Sequence, residues 1–460
     1  MKKVLAIVLA AMLAATSLFG CSDSGSNSSS GASSAGTSET SSAAESTEGG
    51  DAEITEPVEI EFLHGQPEEA RVTAIQSIID KFAEENPNVT ITQMPVPEDS
   101  FWTRTSTLMS AGQLPALLES GVDFLRLIHS EEAMDTAANT EAIEAIGQDR
   151  FYEGVLGLLK APGSEEYLGV PVSGWVSGVW YRKSLFEENN LAVPDTWENI
   201  LAAAEALNDP ENKFYGIMFP TEEMDFTEQI FTHFANSNEA QLFDADGNPQ
   251  FNTPAFKEIL EYYQELYQYT MPGSNGVEEV NDAFTGGHAG MAMYSTYIMS
   301  TLYDQGIADD IGFAIPKHKV EGGFGMTSNL AISNMIDENQ RAAAIKFVSF
   351  MGTKEANITW CHMSPGGSNP VLKDIVEDPE YLDNDVLNAF GDTAKSVPEA
   401  FESLQMLGVQ DGEVNPAMGN ISAKYIIPRC INQILVQGKD IDEQMAICQE
   451  ELQAEVDAVK

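Results

Sequence analysis

Residues 58–94 read VEIEFLHGQPEEARVTAIQSIIDKFAEENPNVTITQM. Val58, Ile60 and Phe62 alternate with Glu59 and Glu61, the period-two pattern of a strand with one buried face. Val72, Ile75, Ile79 and Phe82 then recur at helical spacing, and Asn86-Pro87-Asn88 stops the run. Val89, Ile91 and Gln93 alternate with Thr90, Thr92 and Met94, which gives a second strand. Strand, helix and strand in this order predict parallel strands joined by a crossover helix, hence an α/β lobe.

The rest of the chain keeps mixing the two element types. Thr196 is placed to cap a helix carrying Ile200, Ala204 and Leu207. Thr253-Pro254 opens another, with proline at the first helical position and Phe256, Leu260, Tyr263 and Tyr267 along it. A third apolar-striped helix runs from Arg341 to Phe350 and ends at Gly352. Asp244-Ala245-Asp246-Gly247-Asn248 lacks the later ligands of a calcium loop and predicts a hairpin turn. With 460 residues the chain is too long for one ordinary core and suits two packed lobes.

Composition removes several function classes. The formal charge is −49, from 23 basic and 72 acidic residues. Such a surface repels phosphate backbones and anionic lipid heads, so nucleic acid is excluded as a partner and membrane attachment must be covalent. Cys21, Cys361, Cys430 and Cys448 show no paired spacing of the kind that holds zinc, and no metal or cofactor is expected.

The N-terminus supplies that covalent route. Lys2 and Lys3 precede an apolar run from Val4 to Leu18, so residues 1–20 read as a secretory signal peptide. Leu18-Phe19-Gly20-Cys21 resembles a bacterial lipobox, in which Cys21 is lipidated and becomes the new N-terminus. Residues 21–53 are almost all Ser, Gly, Ala, Thr and Glu, too polar to fold. They predict a disordered leash with a span of roughly 30 Å.

A series of short motifs follows in a fixed order. Phe82-Ala83-Glu84-Glu85-Asn86-Pro87-Asn88-Val89 comes first, then Met109 to Pro115. Tyr167-Leu168-Gly169-Val170-Pro171, Trp180 to Phe186 and Pro194-Asp195-Thr196-Trp197-Glu198 form the densest block. Phe284 to Met291, Ile311 to Lys317 and Gly438 to Gln444 complete it. Their order resembles the extracellular solute-binding protein family 1, the group that includes maltose-binding protein. Ala116 stands where that family has Asp, and Ser295-Thr296-Tyr297 replaces its Gly-x-Trp.

The resemblance implies an α/β, two-lobed periplasmic-binding-protein-like fold of class II, with a ligand cleft between the lobes. One lobe is expected to hold residues 54–170 plus 316–352, the other 171–315 plus 353–460, with Ile311 to Lys317 as a strand crossing between them. The implied function is that of a monomeric substrate-binding lipoprotein of an ABC importer. It would capture a carbohydrate, an oligosaccharide by expectation, and hand it to the permease's transmembrane subunits. It would work outside the cytoplasmic membrane, lipid-anchored through Cys21, in a Gram-positive cell.

A sugar site needs aromatic platforms for C–H faces and polar side chains for hydroxyls. His64 and Gln66 sit at the end of the first strand, where α/β sheets present ligands. Trp102 follows Pro95-Val96-Pro97, Trp175 follows the first lobe crossing, and Asp225 precedes an apolar helix. Glu119, Asp123, Tyr297 and Tyr425 match the order of binding positions in the resembled family. In so acidic a chain, solvated surface acids are the simpler reading of Glu119 and Asp123. Trp197 and Trp360 lie on helical stripes and read as core. Two other classes stay open: a receptor for another solute (a glycerol-phosphate ester, a polyamine or a metal chelate), and an extracellular glycoside hydrolase. No catalytic motif supports the hydrolase, and the adjacent Cys361-His362 reads as a buried thiol beside a surface histidine.

Overall fold

The computed structural model describes residues 54–410 and 413–459. The signal peptide, Cys21 and the leash read in residues 1–53 lie outside the described residues. Eight strands form one sheet: β1 Val58–His64, β2 Val89–Pro95, β3 Leu117–Ser120, β4 Val170–Arg182, β5 Tyr215–Met218, β6 Ala289–Ser295, β7 Ile311–Ala314 and β8 Phe324–Ile332. Their order is β2-β1-β3-β8-β4-β6-β5, with β7 paired to β4. β1 and β2 run parallel, Val58 opposite Val89, and helix Glu69–Glu85 connects them as the sequence predicts.

Two long strands hold the halves together. β8 pairs with β3 through Asn329–Ile332 and with β4 through Phe324 to Leu330. β4 starts beside β8 at Val170 and ends beside β6 and β7 at Tyr181 and Arg182. Each therefore begins in one lobe and finishes in the other, the two-lobed build expected from the sequence.

The strand that carries the return is β8 rather than the Ile311 to Lys317 segment, whose strand part, β7, stays beside the far end of β4. β7 pairs only with Val179 to Arg182, inside the second lobe, and β8 takes the next length of the same edge of β4. The physical reason lies in residues 316–323. Pro316 has no amide proton to continue a ladder. Gly322 and Gly323 then pass so close to other chain that a Cβ at either would meet backbone or side chain at 2.1 to 3.0 Å. The chain turns there, and only afterwards crosses.

Each half has its own aromatic core. Phe62, Phe82, Phe347 and Phe350 meet edge-on around helix Glu338–Phe350, with centroids 5.3–5.9 Å apart. Trp197 is buried as expected, packs on Phe234 at 5.5 Å, and donates its indole N–H to Ser237 Oγ at 3.0 Å. Asp244 to Asn248 form the predicted turn. Asp244 N donates to Asn248 O, and backbone donors from Asp246 and Asn248 hold the Asp244 carboxyl below its ordinary pKa. Cys361, Cys430 and Cys448 are free, buried thiols.

A buried histidine pins the crossing strands. His233 is fully buried on helix Asp225–Ser237. One ring nitrogen, Nδ1, lies 2.6 Å from Gly322 O, at the approach to β8; Nε2 lies 2.6 Å from Ser177 Oγ on β4. The carbonyl can only accept, so Nδ1 carries the proton and Nε2 accepts from the serine. Burial pulls the ring's pKa down from 6.5 to about 4. The folded ring stays neutral while the unfolded chain takes up a proton below pH 6.5. His233 therefore stabilises fully above pH 6.5 and loses its contribution as pH falls towards 4. The loss amounts to about 3 kcal/mol across that window. Urea unfolding of wild type and His233→Gln at pH 7.5 and pH 4.5 should show this as a steeper acid loss in the wild type. Parallel pH profiles would disprove the assignment.

Candidate functional site

The site grows from the ends of β1 and β3 and from the middle of the β4–β8 pair. β1 ends at His64, and the chain turns through Gly65 and Gln66. Glu119, on β3, accepts hydrogen bonds from Gly65 N at 2.9 Å, Gln66 Nε2 at 3.3 Å and Ser328 Oγ at 2.6 Å. It is only 7% exposed. The solvated-acid reading of Glu119 is thus overturned: the carboxylate ties the β1 turn to β8. Arg71 Nη1 donates to the other end of the Gln66 amide, Oε1, at 2.5 Å. Gln66 is held between a guanidinium and a carboxylate, which fixes the orientation of its amide.

His64 supports this turn from below. Its ring is wholly buried, with Nε2 3.1 Å from Gln93 Oε1, and Nδ1 accepts from Gln66 N at 3.3 Å. Burial pulls its pKa down, against the nearby Glu119 charge and the bond to Gln93. Both nitrogens are engaged, so His64 shapes the turn and offers no free edge to a ligand.

Across the turn lies a cavity of about 60 Å³. Gln66, Arg71 and Ser328 line one side, and Ser173, Gly174 and Trp175 of β4 the floor. Tyr297, Trp360, Met363, Ser364, Gly367 and Ser368 complete it. Trp175 is half-buried, its ring 6.3 Å from Tyr297 at 54° and 5.9 Å from Phe324. Tyr297 is 52% exposed. Trp360 is buried as expected, yet its indole N–H reaches Ser173 Oγ at 3.1 Å and forms part of the wall.

The structure thus gathers Gln66, Trp175 and Tyr297 at one cavity, with Glu119 and His64 behind it. It does not bring the other four there. Trp102 stacks on Phe124 at 5.4 Å, outside the lining. Asp123 is exposed and pairs with Arg126 at 3.4 Å. Asp225 is exposed in the first turn of its helix. Tyr425 is 37% exposed and takes a left-handed φ of 51°. These last two belong to segments joined by Ser422 Oγ donating to Glu228 Oε1 at 2.6 Å. Burial lifts the Glu228 carboxyl to about 7, against that bond and with help from Asp225.

Sequence reasoning missed Arg71, Ser173, Ser328 and the turn at residues 363–368. Only their neighbours in space give them meaning, although Gly366-Gly367 was visible as a loop signal. A larger groove, about 1430 Å³, is lined by Glu153, Glu165, Asp244, Asp246, Glu402 and Glu413 among others, with no lysine or arginine. Among its described lining residues no pair of aromatic rings converges, in contrast to the smaller cavity.

Two lobes spanned by paired strands, with aromatic rings and polar groups meeting where they cross, are the architecture of a binding protein. The comparisons give the family. Residues 66–358 match the bacterial extracellular solute-binding proteins. A protein of Escherichia coli (strain K12) named "Putative ABC transporter periplasmic-binding protein YcjN" is 36% identical over 395 residues, covering 86% of this chain and 92% of that one. The chain belongs to this family of bacterial extracellular solute-binding proteins. Its members are the binding proteins of ABC transporters and not enzymes, which removes the hydrolase reading. The fold agrees with the sugar-binding protein MalE of Xanthomonas citri at a TM-score of 0.72, 16% identity, and 87% and 98% coverage of the two chains. A Thermotoga lettingae solute-binding protein bound with α-D-tagatose gives 0.64, 16% identity, and 86% and 99% coverage.

Truncating Glu119 to alanine leaves the Gly65 and Gln66 donors unpaired and cuts the tie to Ser328. Unfolding free energy should fall by about 2–3 kcal/mol. A loss below about 0.5 kcal/mol in urea titration, the range of an ordinary surface change, would show that the carboxylate is not the tie described.

Proposed function

We propose that this ABC-transporter receptor captures a carbohydrate or polyol between its lobes, with Trp175 and Tyr297 as stacking platforms and Gln66 as the hydroxyl partner. The observation that carries the reading is the pair of angled aromatic rings beside a fixed amide. Rings present flat faces to sugar C–H groups, and an amide both donates and accepts to hydroxyls. The solved neighbours that bind sugars support it by analogy of fold. Glu119 and His64 act through Gln66, as positioning residues. Asp123, Asp225, Trp102 and Tyr425 would meet only a ligand reaching beyond the cavity.

A non-sugar solute is the second reading. Among the described residues the one cation lining the cavity is Arg71, already bonded to Gln66 and 3.8 Å from Glu68, so a phosphate finds no cluster to clamp it.

Tyr297→Ala should weaken sugar binding about ten- to a hundredfold, the worth of one stacked ring. Its unliganded stability should stay near wild type, because half the residue is already exposed. Trp175→Ala should lose similar affinity but also roughly 2–3 kcal/mol of stability, since its ring packs on Phe324. Calorimetric titration and thermal unfolding of both variants decide the matter. Normal affinity in both would retire the platforms.

We also propose that the receptor is held at the outer face of the membrane by a diacylated Cys21, the first residue of the mature chain, in a Gram-positive cell. Among the described residues no helix is long and apolar enough to cross a membrane. The lipobox-like Leu18 to Cys21 and the polar stretch after it supply the argument. Cys21→Ala should move the protein from the membrane fraction to the medium. Mass spectrometry finding an unmodified Cys21, or a mature start beyond it, would sink the anchor.

A further inference from the structure

The cavity's far wall is built from a turn that no motif marks. Residues 364–369 read Ser-Pro-Gly-Gly-Ser-Asn and are stitched to the crossing strand and to the foot of Tyr297. Asn369 N donates to Gly174 O at 2.7 Å, and Gly174 N donates back to Asn369 O at 2.9 Å. The Asn369 side-chain amide donates to Gly366 O at 2.7 Å and to Thr296 Oγ1 at 3.4 Å. Ser368 N closes the turn on Ser364 O at 2.7 Å. The wall therefore cannot retreat without breaking bonds to β4.

Two glycines bring this wall against the aromatic platform. Gly366 has a φ of +81°, a left-handed value that side chains disfavour, and a Cβ there would sit 2.8 Å from Met299. A Cβ on Gly367 would fall 2.5 Å from Cδ1 and Cε1 of Tyr297. The Tyr297 ring thus rests against the backbone at Gly367, with the Trp175 ring centroid 6.3 Å away. Movement of the ring toward Gly367 is closed by that backbone, while the exposed half of the residue faces solvent. Ligand pockets for larger molecules run to about 300–1,000 Å³, whereas this one is about 60 Å³. Among the described residues the other exposed large aromatics, Phe124 and Tyr425, and Trp102 stacked on Phe124, lie outside the lining and add no neighbouring platform.

We infer that the site takes a single sugar ring or one open-chain polyol, and that Gly367 sets this limit by fixing the position of Tyr297. The inference rests on the carbohydrate reading and narrows it, replacing the oligosaccharide expected from the sequence. Accommodating one ring needs a small outward shift of side chains; a second ring would have to occupy the space of the stitched turn.

The test is calorimetric titration of the purified receptor with D-glucose, D-galactose, D-mannitol and ribitol as single-unit probes, and with maltose and maltotriose. The best single-unit probe should bind at least about tenfold more tightly than either oligosaccharide, a gap of about 1.4 kcal/mol. A smaller gap, or the reverse order, overturns the inference and leaves the carbohydrate reading standing. Binding of none of the six overturns both. Gly367→Ala should then weaken the best probe by about tenfold or more, because the new methyl displaces the Tyr297 ring. In a Tyr297→Ala background the same change should cost nothing further, since its clash is gone. If Gly367→Ala destabilises the fold, the double variant should recover the melting temperature of Tyr297→Ala. Near-wild-type binding by Gly367→Ala, or full additivity in the double variant, would show that Gly367 does not position the ring.

Discussion

Everything in this receptor hangs on the antiparallel pairing of β4 with β8. These are the strands that run from one lobe into the other, and their ladder extends from Val170 opposite Leu330 to Ser177 opposite Phe324. The pairing slips between Pro171 and Ser173. Proline has no amide proton to give, so the ladder is interrupted at that point, and a bulge re-aims the residues that follow. After it, Ser173, Gly174 and Trp175 line the cavity, and a Cβ on Gly174 would fall 2.7 Å from the Phe401 ring.

The same pair is clamped at three further points, each with different chemistry. Glu119 ties β3 and the β1 turn to Ser328 of β8 through a charge-assisted bond. His233 joins Ser177 of β4 to the approach of β8 through a neutral ring. Asn369 exchanges two backbone bonds with Gly174. A two-stranded ribbon alone is a soft connection. These clamps surround it near the cavity, so side chains that a solute meets are carried on backbone with little freedom. Preorganisation of this kind lowers the ordering cost of binding.

Much of the fold was legible because its signals are local. The alternation in Val58 to Phe62, the helical spacing to Phe82 and the stop at Asn86-Pro87 describe one strand–helix–strand unit completely. The return crossing was not legible, since Ile311 to Ala314 and Phe324 to Ile332 are both apolar strands and only pairing partners tell them apart. The site divides the same way. Trp175 and Tyr297 stood out as large rings among Gly and Ser neighbours. Glu119 did not, because a carboxylate among 72 acidic residues carries no mark of being buried. His64 sits where a ligand contact belongs by strand position, but tertiary packing spends both its nitrogens on Gln93 and Gln66.

The two platform rings are unequal, and the inequality follows from what each must do. Trp175 stands on a crossing strand and packs on Phe324, so its place is set by the same ladder that joins the lobes. Tyr297 lies just past β6, is 52% exposed, and borrows its position from the glycine turn behind it. A ring fixed by core packing would hold its angle whether or not a solute were bound. A ring fixed by a turn holds only while that turn stays stitched to β4 and Thr296. The turn's bonds run to Gly174 and to Thr296, the neighbours of Trp175 and Tyr297 in sequence. Asn369 therefore joins the residue before Trp175 to the residue before Tyr297, and holds the backbone that carries both rings from one side.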